Sequence, residues 1–571
     1  MIQSKQKRTY LPENLKISWE NLKPIFEDLL QKDIRSVEDL ERWLKQRSEL
    51  EAVLQEDYAW RYIHMTRHTA NEDYKNAFEY FTVEIEPKLS DYDNKLDKKF
   101  IACPFLQELD PKKYTVYIKR VKQSLDIFRN KNIPLFTQIQ LKQQEYQSIV
   151  GGLSITHQGK ELTMQQAAAL LEGTDRTERK EVWEKMNQSR LSHKDALDDI
   201  FDELVKLRHQ VALNAGFDNF RDYMFAALAR FDYDVKDCEN FHNAIAKEAV
   251  PLLQKLAAKR QKELGYKVLK PWDMAVDPKG RKPLKPFDSG EELIDRSQRI
   301  FEKLDPYFSK CIQFMKENDL FDVESRKNKA PGGYNYPLAE TGAPFIFMNS
   351  ANTLQDLTTM IHEGGHAVHT FLNSDLEING FKDLPSEVAE LASMSMELLS
   401  VKYWDEFFKE KEELNRALFE QISGAASTLP WVALVDKFQH WIYTHPHHNR
   451  KERSEKWVEF FNEFGKNFCD WKGQEEAMAY LWHRQLHIFE VPFYYIEYAI
   501  AQLGAIAIWK NFVEDPKKTL KHYTHALQLG YTRPIPEIYK TAGIEFNFKQ
   551  DYIHNLINFL SKELDSLSER P

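Results

Sequence analysis

Residues 353–374 read TLQDLTTMIHEGGHAVHTFLNS, and this stretch decides both the local fold and the chemistry. Thr353 and Asp356 form a T-x-x-D helix-capping signal, with Leu354, Leu357, Met360 and Ile361 following at helical spacing. Inside the predicted helix lies His362-Glu363-x-x-His366. Side chains four apart on a helix stand one above the other, so both imidazoles can reach one ion while Glu363, beside that face, can touch a water on it. Zinc suits such nitrogen and oxygen donors, and a catalytic zinc site takes three protein ligands and keeps one position open. A third ligand is therefore required.

Candidates lie just downstream in LPSEVAELASMSMELLS (384–400), a predicted helix with Pro385 near its first turn and Glu387, Glu390 and Glu397 as its acidic residues. Carboxylates within so small and apolar a run are costly to bury unless paired, protonated or metal-bound. The bland alternative is that all three face solvent. Gly364 and Gly365 each cost the motif helix roughly 1 kcal/mol relative to alanine, so close approach of another backbone or of substrate is expected there.

Outward from this centre the chain reads as mainly α. Amphipathic patterns run from about Trp19 to Glu145 and from Met164 to Leu264, with Gly216 as a helix stop. The Pro-, Gly- and Lys-rich segment 267–290 breaks the pattern and marks a connector or lobe boundary. PGGYNYPLAETGAPFIFMNSAN (331–352) supplies turn residues and the apolar run PFIFMN, the best candidate for a small β-sheet beside the motif helix. Gly332 and Gly333 are candidate substrate-binding residues in a contact loop. We divide the chain into an N-terminal helical region, 1–200, and a catalytic region, 201–571.

The bulk numbers narrow the function further. A chain of 571 residues has room for two or more lobes, and 42% hydrophobic with 29% charged residues is an ordinary globular composition. A net charge of -10 argues against nucleic acid as a partner. Cys103, Cys238, Cys311 and Cys469 show no CxxC spacing and suit a reducing compartment. The polar start lacks a signal-peptide pattern, and the most apolar run, Ala499–Trp509, is too short to span a bilayer, so a cytoplasmic protein without membrane partners is expected.

HEGGHAVH, VAELASMSMELL, PFIFMNSANTLQD and, near the C-terminus, HIFEVPFYYIEYA together resemble the thimet oligopeptidase and oligoendopeptidase F family of zinc metallopeptidases. The resemblance covers about 200–571 by order and spacing. It implies two mostly helical lobes enclosing a deep substrate channel, one Zn2+ per chain, and short peptides as substrates. It also selects Glu390, 24 residues after His366, as the third ligand, with Glu387 as the fallback. Glu397 and His369 become supporting residues around the metal; without the resemblance His369 is a packed helix histidine. His487 and Tyr498 are implied as donors to the substrate carbonyl, with Tyr494 and Tyr495 as substrate-binding candidates, a role phenol and imidazole donors suit. At least one of these tyrosines is expected to be core packing instead.

The expected reaction is metal-assisted hydrolysis of internal peptide bonds with Glu363 as general base. The runner-up is a zinc dipeptidyl carboxypeptidase, and the rival from another class is an inactive peptide-binding helical protein. HWIYTHPHHNRKE (440–452) carries His440, His445, His447 and His448; Pro446 and the surrounding charges make it an exposed inter-helix loop rather than a second metal site.

Overall fold

The computed structural model describes residues 8–326, 328–330, 332–465 and 468–569. Residues 1–7, the first part of the polar start, and Pro331, at the head of the PGGYNY stretch, lie outside the described residues. The described chain is mainly helical, with short strands. Its helices include α1 (Val37–Arg67), α2 (Val235–Leu264), α3 (Gly290–Leu304), α4 (Leu354–Leu372), α5 (Ser386–Ser400), α6 (Lys411–Thr444) and α7 (Tyr495–Glu514). Strands β1 (Ser154–His157) and β2 (Lys160–Thr163) form a hairpin turned at Gln158 and Gly159, both at positive φ, a device the helical reading of the sequence passed over.

The chain divides into two compact units, one of residues 1–128, 285–414 and 504–546, the other of 129–284, 415–503 and 547–571. One division, at 284/285, falls in the Pro- and Gly-rich connector. No helix among the described residues is long and apolar enough to cross a membrane.

In the first unit, Leu22, Phe26, Trp43, Phe100 and Tyr114 belong to one buried cluster built from N-terminal helices, which Ile378 and Phe381 join from the segment between α4 and α5. Its small sheet holds β3 (Phe321–Glu324), β4 (Tyr334–Leu338) and β5 (Ala343–Ser350) in the order β3-β5-β4. β5 pairs parallel to β3 and antiparallel to β4, and residues 343–348 of it are all buried, as a central strand covered on both faces requires. This is the sheet expected from PFIFMN. α1 packs on β4, where Tyr62 meets Tyr334 and Tyr336 at 5.4 and 5.6 Å between ring centres.

α4 begins as the sequence predicts. The Thr353 hydroxyl accepts from the Asp356 amide at 3.2 Å, and the Asp356 carboxylate accepts from the Thr353 amide at 2.8 Å. Its two glycines are explained by packing. A Cβ on Gly365 would lie 2.8 Å from Cα of Ser393 and 2.9 Å from Cβ of Met396, so α4 and α5 approach backbone to backbone there. A Cβ on Gly364 would collide with the ring of Phe301 on α3. α5 is held on its other sides by Tyr523, whose hydroxyl donates to the Ala392 carbonyl at 2.7 Å, and by Tyr539, which donates to that of Glu387 at 3.0 Å.

The second unit is tied by buried polar contacts as well as apolar packing. Arg208, in the helix Lys194–Ala215, donates to the Tyr443 hydroxyl on α6 at 2.7 Å and to the Ile488 carbonyl at 3.2 Å. That helix ends at Gly216 with φ +93°, the left-handed stop expected of a glycine.

Replacing Gly365 by valine should lower the midpoint of thermal unfolding, because overpacking against backbone costs about 1–3 kcal/mol and exceeds what removing a helical glycine restores. A midpoint equal to or above that of the wild type, read by circular dichroism, would contradict this packing.

Candidate metal centre

α4 and α5 bring three side chains to one point. Nε2 of His362 lies 3.3 Å and Nε2 of His366 3.5 Å from Oε2 of Glu390, and the three donor atoms all fall within 4.8 Å of one another. The imidazole rings stand 4.9 Å apart and nearly perpendicular. Zinc bonds of about 2.0–2.1 Å at tetrahedral angles separate neighbouring nitrogen and oxygen ligands by roughly 3.3–3.4 Å, close to both histidine–Glu390 separations here.

The surroundings fix the donors. Nδ1 of His362 is 2.7 Å from Oε1 of Glu397, which points Nε2 the other way, toward Glu390. The Ser393 hydroxyl donates to Oε2 of Glu390 at 2.9 Å. Asn335, on β4, donates to the Glu363 carbonyl at 3.1 Å and ties the sheet to α4. Ser393 and Asn335 were not singled out from the sequence. Serine three residues after a glutamate on a helix is a readable signal, whereas the Asn335 contact joins separate elements and has none.

The three acidic residues of α5 do not face solvent: Glu387 is 3% and Glu390 6% exposed, and Glu397 is half-buried. Glu390 enters the donor cluster, Glu397 sits behind His362, and Glu387 is not in the cluster. Burial works against the charge on Glu390, but His366 and His362 overcome it and hold its carboxyl below the usual range. Burial also opposes the His362 imidazolium, yet Glu390 and Glu397 raise it well above the ordinary histidine value. Glu363 behaves differently. It is 8% exposed, and burial raises its carboxyl above the ordinary 4.5 even though His362 and His366 pull the other way. A carboxylate displaced in that direction is suited to taking and returning a proton. His369 is buried in α4, and burial followed by the neighbouring His366 pushes its ring down to about 3, so it is neutral.

The remaining predicted residues fall elsewhere. Gly332 and Gly333 are exposed ahead of β4, Gly332 at φ +96°, and β4 is an edge strand. His487, Tyr494, Tyr495 and Tyr498 belong to the second unit and form one half-buried aromatic group. There, His487 lies 4.7 Å from Tyr495 and 5.7 Å from Tyr498, with Tyr498 5.4 Å from Tyr494 between ring centres. Gln485 is 2.7 Å from Nδ1 of His487 and orients it.

One sequence reading is corrected. His440 does not belong to the loop of His445, His447 and His448: it is buried near the end of α6, whereas His445 and His447 are exposed. The turn signal at Pro446 acts only past Thr444, and His440 lies on the apolar side of the helix before it.

Two histidines and a glutamate around one point, with a buried carboxylate alongside, are the side-chain arrangement on which HExxH metal sites are built. The chain belongs to peptidase family M3, a family of metallopeptidases: the family's main domain matches residues 169–556 and the Peptidase M3 N-terminal domain matches 15–128. It is 23% identical over 414 residues to oligopeptidase PepF of Bacillus subtilis, a match covering 72% of this chain and 60% of that protein. It is 22% identical to an oligoendopeptidase F homolog of Lactococcus lactis over 413 residues, 72% of this chain and 67% of the relative. The match to PepF thus spans less than two thirds of that protein's length. Among solved structures, PZ peptidase A with an inhibitor superposes with a TM-score of 0.90 at 28% identity, covering 96% of this chain and 98% of the other.

Because Glu397 sets the orientation of His362, Glu397→Gln should weaken metal binding about 10–100-fold while leaving the fold intact. Competition with a chromophoric chelator reads this directly, and an unchanged affinity would remove Glu397 from any role in holding the site.

Proposed function

We propose that this protein is a zinc-dependent oligoendopeptidase that hydrolyses internal bonds of short peptides. The observation that carries the reading is the convergence of His362, His366 and Glu390 with Glu363 buried beside them. Membership of family M3 and similarity to proteins described as oligopeptidases support it.

Zinc held by these three side chains would supply Lewis acidity toward both the attacking water and the scissile carbonyl. Glu363 accepts the proton of that water and passes it to the leaving amine, a task for which its raised pKa suits it. Glu397 keeps His362 in the tautomer that presents Nε2. The family resemblance assigns His487 and Tyr498 as donors to the developing oxyanion and Tyr494 and Tyr495 as contacts to the peptide, roles that phenol and imidazole suit. The exposed Gly332–Gly333 segment and the edge of β4 offer backbone groups along which an extended peptide can lie. The restriction to short peptides rests on the resemblance to the oligopeptidases, and the work is that of a cytoplasmic enzyme.

A quenched fluorescent peptide blocked at both ends tests the assignment. Internal cleavage by the wild type is expected, with Glu363→Gln retaining its metal and losing activity, and Tyr498→Phe reducing kcat by about 10²–10³ if its hydroxyl is an oxyanion donor. Cleavage only of peptides with a free C-terminal carboxylate would make the protein a dipeptidyl carboxypeptidase. Binding without any cleavage would make it an inactive peptide-binding protein.

A further inference from the structure

The second unit contains another convergence of metal-ligating side chains. Cys238 and His242 are four residues apart on α2, and Asp436 and His440 are four apart on α6, so each helix presents a stacked pair of donors. The pairs meet. A donor atom from each of Cys238, Asp436 and His440 lies within 4.8 Å of the other two, and Nε2 of His242 is 2.8 Å from Oδ2 of Asp436. The imidazoles of His242 and His440 stand 5.7 Å apart, nearly perpendicular.

The surroundings are those of a built site rather than of a chance cluster. Cys238 and Asp436 are fully buried, and Phe225 and Phe493 wall the His440 ring at 6.0 and 5.4 Å. Oδ1 of Asp436 and Nε2 of His440 are buried without a hydrogen-bond partner, although that nitrogen is only 3.2 Å from Oδ2. Buried polar atoms are rarely left so, and a shared cation satisfies both at once. Sulfur, nitrogen and oxygen donors together suit zinc or a similar divalent transition metal.

We propose that Cys238, Asp436 and His440 bind a second divalent metal, zinc by preference, which cross-links α2 and α6, with His242 donating to the Asp436 carboxylate and orienting it. Binding converts the Cys238 thiol to thiolate and releases its proton to solvent. The charge then closes: a 2+ ion, one thiolate, one carboxylate and two neutral imidazoles sum to zero, which lowers the penalty for burial. Donors projecting inward from facing helices are a recurrent way of building metal sites in helical folds.

The test uses the full chain carrying His362→Ala and His366→Ala, which disables the first centre and makes this proposal independent of it. Once its own metal has been stripped with a chelator, cobalt(II) titration of that variant should develop a near-ultraviolet thiolate-to-cobalt charge-transfer band, saturating at one equivalent, which only a cysteine ligand can produce. Adding Cys238→Ser should abolish the band, with circular dichroism reporting the fold. As isolated, elemental analysis should find about one metal per chain in the His362→Ala/His366→Ala variant. Absence of the band and of bound metal would reduce the cluster to a hydrogen-bonded His-Asp-His network. Should the Cys238→Ser chain fail to fold, the spectrum of the parent variant decides alone.

Discussion

Gly365 has no side chain, and the backbone of Ser393 occupies the space where one would stand. That single approach sets the distance between α4 and α5, and with it the distance from Glu390 to His362 and His366. A methyl group at Gly365 would have to push α5 away, and a shift of an ångström exceeds what short metal–ligand bonds tolerate. The helix accepts the propensity cost of two adjacent glycines because both surfaces are in use, Gly365 against α5 and Gly364 against the ring of Phe301. Tyr523 and Tyr539, donating to carbonyls of α5, brace the same contact from outside.

Around that contact the electrostatics are graded. Glu390 stays ionised in a buried position because two imidazoles face it, Glu397 stands behind one of them, and Glu363 has its carboxyl raised by burial. Three glutamates on two adjacent helices therefore take three different characters from their surroundings, and the proposed roles of ligand, orienter and base rest on that division. The same residue type is divided among tasks by desolvation and by distance to the histidines.

Much of this was legible because it is local. The capping box, the four-residue histidine spacing and the helix stop at Gly216 each depend on residues within a turn or two, and each is found where the sequence places it. The central strand β5 was visible as PFIFMN, an apolar run too short for a helix. The reason for the glycines was legible only in outline, since their partners, Ser393 and Phe301, come from other elements. Asn335 left no signal at all, because its contact with the Glu363 carbonyl joins a strand to a helix. His440 shows the opposite failure. It was read with the histidines of the following loop, though its meaningful neighbour was Asp436, one turn back, and the matching pair on α2 is about two hundred residues away. Periodicity gives the face of a helix, but not what faces it.

The central claim is that His362, His366 and Glu390 hold one zinc ion. Anomalous diffraction recorded on either side of the zinc absorption edge, from crystals of the protein as isolated, tests it most directly. The account predicts a zinc-specific peak within about 2.0–2.2 Å of Nε2 of both histidines and of a Glu390 carboxylate oxygen. A peak bonded to Glu387 in place of Glu390, or no peak between the two histidines, would contradict it.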